Sequence, residues 1–127
     1  MKDKKFDRLI LVSTGVLVLS GAVTLLFPVW LVSLYGVRLT AGGAVLARSF
    51  GAAYLGLGLI SWYVLHQGSR DLYLSLSMGL GLCFGLGFLV FLISQLAGIF
   101  NPLGWFDVIL NGLLTVGHGL YIISTRK

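Results

Sequence analysis

At 127 residues, 57% hydrophobic and only 10% charged, the chain has too little polar surface for a water-soluble domain, where charged residues make up roughly a quarter. Runs without a polar residue, such as Leu80–Gly87, exclude the strict alternation of a transmembrane β-barrel. The formal charge of +5 gathers at the ends of apolar segments, so it reads as an orientation signal and gives no reason to expect a nucleic-acid partner.

The fold class is therefore all-α, an integral membrane four-helix bundle forming a single domain over residues 1–127. The first span is predicted at 9–27, close to the ~20 residues that cross the hydrocarbon layer. Its basic start, apolar core and small residues Ser20 and Ala22 resemble a signal peptide. The apolar stretch continues to Phe27, however, which favours an uncleaved span. Pro28 ends it. Residues 28–43 are too short to cross, and Pro28 suits a first helical turn, so a short interfacial helix is expected on the outer surface. Gly42 and Gly43 then release the chain into the second span, 44–65. His66–Asp71 makes a tight turn, followed by a third span at 72–97, an outer connection at 98–104, and a fourth span at 105–124.

Lys2, Lys4, Lys5, Arg8, Arg70, Arg126 and Lys127 fall on one side of this arrangement; Arg38 and Arg48 fall toward the other. The positive-inside rule then places both termini in the cytoplasm. Trp30, Tyr35 and Trp105 are expected to form the outer aromatic belt, and Trp62, Tyr63, Tyr73 and Tyr121 the inner one. The only cysteine, Cys83, lies mid-span with no thiol to pair with inside the chain.

Two charged side chains interrupt the apolar runs. Arg48 enters the second span about four residues deep, roughly 6 Å, on a stripe with Ala44, Gly51 and Gly58, and is expected to point into the bundle. Asp107 begins a stripe on the fourth span that continues through Asn111, Thr115 and His118. With Gln95 at the outer end of span three, Arg48, Asp107 and Asn111 form the candidate site: an intramembrane polar cluster holding either an ion pair or a ligand head group. Thr115 and His118 extend it as a polar seam. Gly51, Gly58, Gly81 and Gly85 are the expected helix-packing positions, since small residues let membrane helices approach closely. Cys/His/carboxylate clustering of the kind that holds metals is missing, so neither a metal nor a cofactor is expected.

From Pro28 to Trp62 the chain reads P-x-W, Y-G, then A-R-S-F-G-A-A-Y-L-G-L-G-L-I-S-W, with an Asn-Pro-Leu-Gly-Trp entry to span four. In these features it resembles small four-helix bacterial membrane proteins of unknown function and, more loosely, the DoxX-like group. The resemblance implies an inner-membrane bundle with Arg48 as the family-like position. DoxX-like proteins are linked to quinone-associated oxidoreduction and accessory complexes. No catalytic motif is visible, so the expectation is a non-enzymatic accessory or lipid-interacting protein whose first partner is the bilayer. A quinone or hydrophobic-ligand subunit is the second expectation, and a small transporter or proton-coupled channel the third. A homo-oligomer or a membrane-complex partner fits any of them.

Overall fold

The computed structural model describes residues 4–125, with Lys2, Arg126 and Lys127 of the orientation signal lying outside them. Helix α1 runs Lys4–Leu26, α2 Pro28–Leu34, α3 Ala41–Gln67, α4 Arg70–Leu96 and α5 Gly104–Thr125. Helices α1, α3, α4 and α5 are each long and apolar enough to cross a membrane, which makes this a multi-pass membrane protein. Its sides are clad in exposed aliphatic groups such as Leu19, Leu59, Leu82 and Leu113, as a lipid-facing surface requires.

The junctions follow from local chemistry. Pro28 occupies the first turn of α2, where its missing N–H costs nothing. Gly42 and Gly43 do not precede α3 as expected but lie inside its first turn, because the Thr40 side chain caps the helix by accepting from Gly43 N at 3.1 Å. First-turn N–H groups have no helical partner, so such a cap decides where the helix starts. Gly68 ends α3 at φ +63°, and Ser69 caps α4. Only two residues therefore separate these long helices.

Packing divides the bundle into two tight pairs, α1 with α3 and α4 with α5. In the first pair the backbones nearly touch. A methyl group on Gly51 would lie 2.6 Å from Leu25 N and 2.8 Å from Gly21 O; one on Gly58 would lie 2.7 Å from Val18 Cγ2. The second pair is looser at the GxxxG positions, where a methyl on Gly81 would meet His118 Cβ at 3.3 Å and one on Gly85 would meet Thr115 Cγ2 at 3.5 Å. A methyl on Gly87 would lie 2.7 Å from Asn111 Oδ1.

At one end of the bundle Phe6 packs on Tyr121, with ring centroids 4.5 Å apart, and the Arg70 guanidinium donates to Thr125 O at 2.8 Å. A cation there satisfies a carbonyl left open at the end of α5. Tyr73 and Tyr121 are buried in the core at this end, not members of an exposed belt. The Tyr73 hydroxyl donates to Leu65 O, which explains how a phenol fits there. At the opposite end the two connections clasp each other. Asn101 donates through Nδ2 to Leu34 O at 2.7 Å and through its backbone to Tyr35 O at 3.0 Å, while its Oδ1 accepts from Leu103 N.

Glycine spacing sets the first prediction. Gly51→Ala forces the α1 and α3 backbones apart and is expected to cost about 1–3 kcal/mol. Gly85→Ala meets ordinary contact distances and gains helix propensity, so it should be neutral or stabilising by up to ~1 kcal/mol. Thermal unfolding of the two variants in one detergent distinguishes them.

Candidate functional site

Between the two helix pairs, in the half of the bundle nearest α2, lies a partly enclosed cavity of about 480 Å³. Its wall takes Ser20 and Thr24 from α1, Ala47 and Tyr54 from α3, Phe84 from α4, and Asp107 from α5, among others. On α1 the lining begins at Val16, about ten residues or roughly 15 Å from the helix end. The space thus reaches from the connecting segments toward mid-membrane. Its volume falls in the range of small-molecule sites.

The connections form its roof. Tyr35 and Phe100 both line the cavity, with ring centroids 5.7 Å apart, and Phe91 meets Phe100 in a tilted contact at 5.9 Å. The Asn101 clasp holds this roof in place. The Tyr35 hydroxyl meets the Asp107 carboxyl. Burial, and then this carboxyl, push the Tyr35 phenol well above its ordinary value, so it stays protonated and can donate to Asp107. Asp107 Oδ2 is enclosed and has no hydrogen-bond partner.

Of the residues expected to cluster, the structure gathers Asp107 and Asn111 on the cavity wall and leaves Arg48 and Gln95 outside it. Arg48 is exposed on the side of the bundle, and among the described residues it forms no ion pair with Asp107. The reason lies in the helix seam. Ala44, Ala47, Gly51, Tyr54, Gly58 and Ser61 occupy successive a and d positions of a heptad, the pattern that faces a partner helix. Arg48 is an e position, about 40° to one side of Ala44, and the long side chain carries its charge outward. Gln95 donates to Asn101 O at 3.3 Å and packs against Gly104. It braces the second connection.

The α5 seam is real as a face but not as a chain of hydrogen bonds. Asn111 donates back to Asp107 O at 2.8 Å, and Thr115 back to Asn111 O at 2.7 Å. Such bonds to the preceding turn satisfy the side chain within its own helix. His118 is fully buried, its Nε2 sharing a hydrogen bond of 2.9 Å with Ser13 Oγ, and Phe84 stacks on its ring. Around this depth every span contributes a buried polar group: Ser13 and Thr14, Ser61, Ser77 and His118. Thr14 Oγ1, Ser77 Oγ and His118 Nδ1 have no partner. Among the described residues, no three His, Cys, Asp or Glu side chains gather into a metal-binding group.

Sequence reasoning missed the Tyr35–Asp107 contact because it assigned Tyr35 to the headgroup layer. It also missed Asn101, whose role depends on contact with a segment over sixty positions away. The Asn-Pro pair was a readable turn signal, but its partner was not. No protein family, curated protein or solved structure matches this chain.

Two substitutions check this geometry. In a double-mutant cycle, Arg48→Ala and Asp107→Asn should be independent, with a coupling below about 0.5 kcal/mol in unfolding experiments; a larger coupling would restore the ion pair. Asn101→Ala removes side-chain bonds to Leu34 O and from Leu103 N and should cost about 1–3 kcal/mol. Faster amide exchange in residues 34–36 and 100–104 would accompany it.

Proposed function

We propose that this protein is a non-enzymatic membrane protein that holds a lipid-like amphiphile between its two helix pairs. The observation that carries the reading is the cavity itself, about 480 Å³ with a wall that is mostly aliphatic and aromatic. A void of this size in a four-helix bundle forfeits packing that side chains could have supplied, since tight interiors leave few spaces larger than a water. An occupant restores that packing. A few polar groups, Asp107 and Asn111 among them, in a mostly apolar lining fit a molecule with a hydrogen-bonding head and an apolar body.

Orientation adds to the proposal. With the termini on the cytoplasmic side, as the basic residues favour, the cavity belongs to the outer leaflet, and its roof is made from the two outer connections. A quinone, the ligand implied by the resemblance to DoxX-like proteins, would occupy the same volume. The proton-relay reading has less support, because Asn111 and Thr115 donate to their own helix rather than to one another.

Ser20→Leu together with Ala47→Leu fills the cavity with side chains of the protein. Native mass spectrometry of the protein extracted in mild detergent should show a retained amphiphile on the wild type and its loss from the double variant, with a cooperative thermal transition retained. A bare wild-type chain, or equal retention in the filled variant, would defeat the reading.

A further inference from the structure

Resting on the proposed ligand cavity, we infer that its preferred occupant is a cationic amphiphile, a long-chain protonated amine, with Asp107 as the counter-ion. Charge is the first argument. Among the described residues Asp107 is the one charged side chain on the wall, and no lysine, arginine or histidine lines the space. Arg48, the nearest candidate by sequence for neutralising it, is exposed on the side of the bundle. A carboxylate in a low-dielectric site without a cation is costly, and a partner of opposite charge offsets much of that cost. An anionic head would meet Asp107 with nothing to compensate the repulsion.

The lining supplies the second argument. Five phenylalanines and two tyrosines belong to the wall, and aromatic faces attract cations through their quadrupole while excluding water. Phe100, Phe106 and Tyr35 belong to the same end of the cavity as Asp107. Aliphatic groups such as Leu17 and Val16 line the part farther from the connections. An ammonium beside Asp107 would therefore sit among aromatic rings with its alkyl chain directed toward mid-membrane.

Hydrogen bonding completes the site. Tyr35 meets the carboxyl from the roof, and the Asn111 amide is taken up by the Asp107 backbone carbonyl, so neither neutralises it. Oδ2 has no partner. The terminal torsion of an aspartate is soft, and a modest rotation would offer Oδ2 to an N–H donor. An ammonium has such donors to give; an alcohol has one without the charge, and a carboxylate has none.

The test uses three probes that share a tail: dodecylamine, dodecanol and dodecanoate. Each is added to the full chain in mild detergent at neutral pH, and adducts are counted by native mass spectrometry. The amine should occupy the wild type at least about tenfold more tightly than dodecanoate, the scale of one charge-assisted hydrogen bond. Asp107→Asn should bring the amine to the level of dodecanol. The cavity-filled Ser20→Leu, Ala47→Leu variant should bind none of the three. Equal binding of all three to the wild type, lost on filling, would overturn the charge preference and leave the ligand cavity standing. Preference for dodecanoate would overturn it too. Failure of every probe to bind would remove the cavity reading with it. The wild-type ranking decides the matter even if Asp107→Asn does not fold.

Discussion

The backbone contact between α1 and α3 at Gly21 and Gly51 is the constraint on which the rest of the architecture depends. At this spacing neither position has room for a β-carbon. Without a hydrophobic driving force between helices in lipid, such close packing supplies much of the cohesion available to a membrane bundle. Because the chain spends its small residues there and along α4 and α5, the two pairs are each dense. The contact between the pairs is sparse by comparison. That imbalance leaves room for a cavity, and it leaves it where aromatic side chains from both pairs hold them apart.

The polar groups then follow two different logics. In the half near the termini, Ser13, Ser61, Ser77 and His118 are completely buried, at a level where all four spans converge. Interhelical hydrogen bonds in membranes contribute about 0.6 kcal/mol on average, so the Ser13–His118 bond tethers α1 to α5 without dominating stability. It is a link across pairs. In the half near α2, polar groups instead border an open volume. Asp107 meets Tyr35 from the roof, and among the described residues no cation pairs with its carboxyl.

Much of this fold was legible in the sequence because lipid forces every backbone group to be satisfied within its own segment. Apolar length alone then locates four spans, and Pro28 marks the short helix between the first two. What sequence could not give was the rotation of each helix. Arg48 shares a broad apolar stripe with Ala44 and Gly51, and only the partner helix decides which edge of that stripe is covered. Tyr73 and Tyr121 show the same limit from the other side: aromatic residues near helix ends suit both a headgroup belt and a buried core. Hydrogen bonding to Leu65 O and a tilted ring contact with Phe6 decide for the core.

The fate of the two intramembrane charges changes the sign of the chemistry. Had Arg48 faced the bundle, it would have neutralised Asp107 and offered its remaining donors to an anionic head. With Arg48 turned outward, the interior field near α2 is set by one carboxyl group, one phenol and a ring of aromatic faces. Helix geometry accounts for the difference, since about 40° of rotation separates an a position from an e position. The same angle explains why the arginine is inexpensive. Near the end of a span, a long flexible side chain keeps its stem in the apolar layer and its guanidinium in the headgroups. Asp107 has a side chain too short for that route. Its charge can be relieved only by a proton, by a neighbouring donor, or by something that enters the cavity, which is the place of the proposed amphiphile.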